Sequence, residues 1–278
     1  MSAPDLSAGL ALPDIEALLG EGERAACCAA IYEQPAVRWL LGDELHPGGE
    51  ATTRRALELI ELGGGERLLD VASGAGTSAL LAARERGCVV VGLEYGEGAV
   101  AGAREAAAAA GLADQVSFVR GDAGALPFEE GEFDAVLCEC SLCTFADKPG
   151  AVGEIRRVLG AGGRLALGDV IVDPPRLPAG FDGVLAAIAC VGEAMPSAGY
   201  QDLLSAAGLE VFASESLDMQ TAALAERFED RLRGARLLGL ERLEGSPVST
   251  ELAIELIRAA RRAITDGALG YSIFAARR

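Results

Sequence analysis

The sequence holds a single histidine, His46, among 278 residues. It stands in the turn His46-Pro-Gly-Gly49, so acid–base chemistry that needs an imidazole has one residue to draw on. Positive charge is also scarce: 24 Lys and Arg face 42 Asp and Glu, a net charge of −18. The basic residues gather only as the pairs Arg54-Arg55, Arg156-Arg157, Arg261-Arg262 and Arg277-Arg278. A phosphate polyanion would be repelled, which excludes nucleic acid and an anionic membrane surface as partners and leaves a small-molecule substrate. No apolar stretch free of charge reaches membrane-spanning length, and no basic segment followed by an apolar one opens the chain. A cytoplasmic location is the expectation. No repeat, low-complexity tract or linker divides the sequence.

What is present is an apolar, Ala- and Gly-rich chain with a mean hydropathy of +0.27. It reads as one globular domain, or one domain with a cap. Seven cysteines in a chain of this kind are expected as thiols and not as a disulfide framework.

The stretch Arg67-Leu-Leu-Asp-Val-Ala-Ser-Gly-Ala-Gly-Thr77 organises the rest. Arg67 to Val71 predicts a short buried strand carrying a carboxylate near its end. Ala72 to Gly76 is a small, glycine-bearing turn, and Thr77 to Gly87 a helix. A strand, a tight turn and a helix open a nucleotide-binding α/β sheet. Gly74 and Gly76 let the backbone approach a ligand, and the helix N-terminus offers free N–H groups. The pattern is D-x-x-S-G-x-G, neither G-x-G-x-x-G nor a phosphate-binding loop with Lys-Ser/Thr. Cys88 to Glu94 predicts a second strand buried on both faces, and Val116 to Arg120 a third, with Asp122-Ala123 just beyond it. Asp70, Glu94 and Asp122 then end three successive strands at one edge of the sheet.

Taken together, residues 60–172 resemble the class I S-adenosylmethionine-dependent methyltransferases. The resemblance implies an α/β fold with a doubly wound, mostly parallel, seven-stranded sheet and S-adenosyl-L-methionine as cofactor. It places the methionine part on Asp70, Ala72, Ser73, Gly74 and Gly76, with Glu139 nearby. It places the ribose on Glu94, beside Tyr95, and the adenine on Asp122 and Ala123. Residues 1–62 become an N-terminal helical arm or lid, with Gly22 to Leu41 and Glu50 to Leu62 helical, from which Tyr32 and the His46–Gly49 turn could touch the cofactor. Residues 63–278 become the methyltransferase domain, with an insertion at about 176–198 that is helical from Phe181 to Met195.

Within that domain the sequence predicts a strand from Phe133 to Cys138, a helix from Lys148 to Leu159 stopped by Gly160-Ala-Gly-Gly163, and a strand from Arg164 to Val172. A helix from Gly199 to Ala207, a strand from Leu209 to Ser216 and helices from Thr221 to Leu240 and Glu251 to Gly267 follow. A last strand, Gly270 to Ala276, inserts antiparallel beside its predecessor.

The thiols Cys138, Cys140 and Cys143 fall where the methyl acceptor must sit, and Cys138 and Cys140 share a face if the strand runs through both. C-x-C-x-x-C lacks further obvious zinc ligands and has no iron–sulfur spacing. Buried packing is the plain reading of Cys88 and Cys138. Cys140 stands seven residues before Asp147-Lys148, and Cys190-Val-Gly-Glu-Ala194 leads to Tyr200 and Ala207-Gly208. In those features the chain resembles the arsenite methyltransferases. That resemblance implies trivalent arsenic held by the thiolates of Cys140 and Cys190, with Cys27 or Cys28 and Cys143 as further ligands. Soft thiolates suit a soft acceptor, whose lone pair attacks the methyl group without a strong base. The alternatives are a small organic acceptor, a quinone or secondary metabolite, oriented by Glu139 or His46, and a thiol-based metal sensor that kept only the fold.

Overall fold

The computed structural model describes residues 39, 46–177, 191–242 and 249–278. Tyr32, Cys27, Cys28, Cys190, the helix expected over Gly22 to Leu41 and most of the expected insertion helix lie outside the described residues.

Seven strands form one sheet in the order β3-β2-β1-β4-β5-β7-β6. They are β1 (Arg67–Val71), β2 (Val89–Glu94), β3 (Val116–Arg120), β4 (Phe133–Glu139), β5 (Leu159–Val172), β6 (Glu210–Ser216) and β7 (Leu269–Arg277). Strands β1 to β5 pair in parallel, while β7 runs antiparallel to both β5 and β6. The expected sheet and its inverted last strand are both present. Strand order reverses between β1 and β4, and the crevice beyond their carboxyl ends is where such sheets take ligands.

The inner strands read as continuous apolar runs because both of their faces are covered. Leu68, Val90, Leu137 and Ala166 face one helical layer, built from α1 (Gly49–Leu59), α2 (Thr77–Arg86), α3 (Glu97–Ala109) and α7 (Thr250–Thr265). Leu69, Val71, Val136 and Leu167 face the other, built from α4 (Lys148–Val158) and α5 (Ser197–Ala206). Helix α6 (Asp218–Leu237) pairs with α7, and the buried Glu229 carboxylate of α6 accepts hydrogen bonds from Arg258 and Arg261 of α7. Ala56, Leu57 and Ile60, in and just past α1, are fully buried in the core, which fixes the turn before α1 over the end of the sheet.

Several expected boundaries shift. Gly160 to Gly163 does not stop a helix outside the sheet: β5 already begins at Leu159, which pairs with Phe133. The register then jumps from Phe133 with Leu159 to Ala135 with Arg164, and the glycines absorb this bulge, Gly162 at a φ of 74°. Cys88 precedes β2 and is not part of it, though it is buried as expected. Residues 191–195 are not helical. Met195 instead bridges Ile171 and accepts the Val172 N–H, so this segment leans on the end of β5. Among the described residues no helix is long and apolar enough to cross a membrane.

Candidate active site

The turn after β1 carries the site. Its residues 72–76 leave ordinary backbone space: Ala72 takes a φ of 59°, Gly74 of 52° and Gly76 of 81°. Glycine is needed at position 76 for a second reason. A Cβ there would meet Phe118 Cζ at 2.5 Å, because Phe118 packs beneath the turn. Gly76 is therefore buried against β3 and serves the packing of the turn.

A cavity of about 470 Å3 opens between this turn and α1. Its walls include Asp70, Ala72, Ser73 and Gly74 from the turn side, His46 and Thr53 from the α1 side, Ser78 from α2 and Glu139 from β4. That volume lies in the usual range for a small-ligand site, about 300–1,000 Å3. Asp70 is buried near the Ala79 backbone, and its Oδ2 has no partner among the described residues. Burial, then the nearby Glu139 and Glu94 carboxylates, push the Asp70 carboxyl well above its ordinary range. A buried, under-satisfied carboxylate with two others close by favours a cationic occupant.

Glu94 ends β2 and is buried. Its Oε2 accepts the Gly74 N–H at 2.9 Å and its Oε1 accepts the Gly96 N–H at 2.9 Å. A carboxylate accepts about four hydrogen bonds, so both oxygens retain a free lone pair. Asp122 lies just past β3, exposed, with its Oδ1 taking the Gly124 N–H, and Ala123 beside it is buried. Glu94, Asp122, Ala123, Gly76 and the exposed Tyr95 do not line the cavity itself.

Glu139 is the centre of a network that sequence reasoning named only in part. Its Oε2 accepts the Ser78 hydroxyl at 2.7 Å and the Thr53 hydroxyl at 3.0 Å. His46 Nε2 lies 3.6 Å from the same oxygen and 3.4 Å from Thr53 Oγ1. The imidazole stacks on Tyr271 of β7, with ring centroids 6.4 Å apart. Thr53, Ser78 and Tyr271 escaped the sequence because hydroxyls on an ordinary helix or strand carry no spacing signal.

The thiols part company. Cys138 packs into the α4/α5 side of the sheet, while Cys140 and Cys143 pack on the other. The strand ends at Glu139, and Cys140 takes a left-handed φ of 51°, which breaks the alternation expected to align it with Cys138. Cys138 is fully buried beside Ser141, and burial pushes its thiol up to about 12. Cys143 is fully buried, its N–H held by Asp169. Among the described residues no three His, Cys, Asp or Glu side chains are grouped so as to hold a metal ion.

Residues 69–167 match a family model described as a methyltransferase domain. Over 255 residues the chain is 31% identical to the 27-O-demethylrifamycin SV methyltransferase of Amycolatopsis mediterranei, covering 86% of this chain and 91% of that relative. It belongs to the S-adenosylmethionine-dependent methyltransferases. The demethylmenaquinone methyltransferase of Thermus thermophilus is 42% identical over 133 residues, which is 48% of this chain and 58% of that one. The fold is shared with phosphoethanolamine N-methyltransferase 2 of Haemonchus contortus, solved with phosphomonomethylethanolamine and S-adenosylhomocysteine. That match has a TM-score of 0.75 at 20% identity and covers 93% of this chain and 59% of that one. The cofactor of this methyltransferase is S-adenosylmethionine. The arsenite branch implied by the cysteine spacing gains no support from these relatives.

Proposed function

We propose that this methyltransferase modifies a hydroxyl-bearing small organic molecule, with the cofactor seated in the cavity between the β1 turn and α1. One observation carries the seat: the cavity joins a glycine-bearing turn to the carboxylates Asp70 and Glu139, with Glu94 hydrogen-bonded to the same turn. The residues suit the cofactor, which brings an ammonium and a sulfonium to a pocket whose buried Asp70 Oδ2 lacks a partner. When bound, its sulfonium supplies an electrophilic methyl group. Asp70 and Glu139 hold the cationic methionine end, against the backbone of Ala72, Ser73 and Gly74. Glu94 receives the ribose hydroxyls on its free lone pairs. Asp122 and Ala123, with Tyr95 at the rim, take the adenine.

The hydroxyl acceptor is favoured by the relative that spans most of both chains, whose name specifies methylation at an oxygen. Trivalent arsenic is the weaker reading. It gains no support from the relatives above, and of the thiols expected to hold it only Cys140 and Cys143 lie among the described residues, Cys143 fully buried. The test is transfer of labelled methyl from the cofactor to a panel holding 27-O-demethylrifamycin SV, a reduced demethylmenaquinone and arsenite. Label on an organic hydroxyl supports the proposal; label on arsenic alone refutes it.

A further inference from the structure

A second cavity, of about 520 Å3, opens on the other side of α1. Its wall is the end of β6 at Glu215 and Ser216, the first turn of α6, and the side of α1 that carries Thr52 and Arg55. Strand β6 is antiparallel to β7, as β5 is, so β6 and β5 run the same way. The end of β6 therefore lies on the sheet edge that carries Asp70, Glu94 and Glu139, the edge where such sheets take ligands. The volume suits a small molecule. A thin partition separates this cavity from the first. Ala51 lines both, with a methyl group for a side chain. Gly48 lines the first, and Gln220 of the second packs against it: a Cβ on Gly48 would meet Gln220 Cγ at 3.2 Å. Thr52 holds the partition in place, its buried hydroxyl donating to the Pro47 carbonyl at 2.6 Å.

The lining sets the class of ligand. Ala51, Leu217 and Met219 supply apolar surface, while Ser216 and Gln220 can each donate and accept hydrogen bonds. One guanidinium, Arg55, stands against two carboxylates, Glu215 and Asp218. Arg55 is already engaged: its Nε donates to Glu215 at 2.8 Å and its Nη1 to Glu58 at 3.2 Å. A phosphate or carboxylate would meet net negative charge there. A neutral molecule with hydroxyls on an apolar frame finds partners for both of its parts.

We propose that this second cavity holds the body of the methyl acceptor, an extended, neutral, hydroxylated organic molecule. The reacting hydroxyl reaches the first cavity across Gly48-Gly49, where neither residue carries a side chain. Ser216, Met219 and Gln220 then decide which acceptors fit, and none of the three lines the cofactor's cavity. Phosphorylated acceptors are excluded by the carboxylates. The inference deepens the hydroxyl-acceptor reading above and rests on it.

Met219 makes the test direct, because it is exposed in this cavity and is one of three methionines in the chain. Carbon-13 methyl-methionine spectra of the full chain, loaded with S-adenosylhomocysteine, carry its signal, which Met219→Leu assigns. The probe is 27-O-demethylrifamycin SV, with phosphoethanolamine as the anionic control. The Met219 signal is expected to shift with the first and to stay with the second. An unmoved signal at saturating 27-O-demethylrifamycin SV overturns the proposal, whether or not the compound is methylated, and a shift with phosphoethanolamine overturns the ligand class. A shift without methylation supports the site and strikes the hydroxyl reading instead. The second measurement is calorimetric binding to Ser216→Trp, whose ring fills the cavity. A rise of about tenfold or more in the dissociation constant of 27-O-demethylrifamycin SV is expected, with unchanged affinity for S-adenosylhomocysteine. Equal losses for both ligands, or none for the acceptor, overturn the proposal.

Discussion

Thr53 Oγ1 donates to Glu139 Oε2 at 3.0 Å and so ties helix α1 to the carboxyl end of β4. The two residues lie 86 positions apart, and their bond closes one wall of the cavity. A valine at position 53 keeps the shape of the side chain and removes the hydroxyl. Thr53→Val is expected to lose stability by about 1.5–3 kcal/mol, the usual worth of a hydrogen bond to a charged group. Thr53→Ser, which keeps the hydroxyl, is expected to retain that stability. Thermal melts of the two variants separate hydroxyl from packing: equal melts would show that the bond contributes nothing.

Asp70 sets a pH dependence whose sign is fixed by its burial. Its ordinary value is near 3.8, and desolvation, followed by Glu139 and Glu94, raises it well above that in the folded chain. The folded state thus holds the proton to higher pH than the unfolded state. Stability of the free enzyme is expected to fall as pH rises from about 3.8 through the raised folded value, then to level off. Affinity for the cationic cofactor should rise over the same window, because only the ionised carboxylate attracts it. Asp70→Asn should flatten both curves. Melting points and calorimetric titrations across pH measure them, and an unchanged slope in Asp70→Asn would assign the effect to another group.

Ala72 stands at a φ of 59°, a conformation that suits glycine. A residue with a Cβ there costs about 1–2 kcal/mol, and the greater freedom of glycine in the unfolded chain returns about 0.5–1 kcal/mol of that. Ala72→Gly is therefore expected to stabilise the free enzyme by up to about 1 kcal/mol. A higher midpoint in thermal or urea unfolding checks it; a lower one would mean the methyl group packs usefully.

The cysteines offer a separate check on the acceptor. Cys138 and Cys143 are fully buried, and the Cys138 thiol is pushed up to about 12. Neither should react with iodoacetamide in the native protein, since the thiolate is the nucleophile and access is needed. Cys140→Ser should leave transfer to an organic hydroxyl almost unchanged. Mass spectrometry of alkylated peptides and the rate of the variant give the answer. A collapse of that rate would return the thiol to the chemistry.

The sheet was legible because its signals are local. Arg67–Val71 and Val89–Glu94 are short, mostly apolar strands, with Asp70 one residue before the end of the first and Glu94 ending the second. The glycine turn announced the crevice. The sequence misled at Gly160–Gly163, where glycines that often stop a helix instead form a bulge inside β5. It misled again at Cys140, because a single left-handed residue reversed the face on which the thiol lies. The His46, Thr53, Ser78 and Glu139 network brings together four elements from residues spaced up to 93 apart. No periodicity or spacing encodes such a meeting; only the packing of α1 against the sheet creates it.

The most direct measurement is a crystal structure of the full chain with S-adenosylhomocysteine. The account expects the amino-acid end of the ligand between Asp70 and Glu139, along the Ala72–Gly74 backbone, and ribose hydroxyls on Glu94. Ligand density elsewhere on the chain, with the β1 turn and Asp70 Oδ2 left untouched, would contradict it.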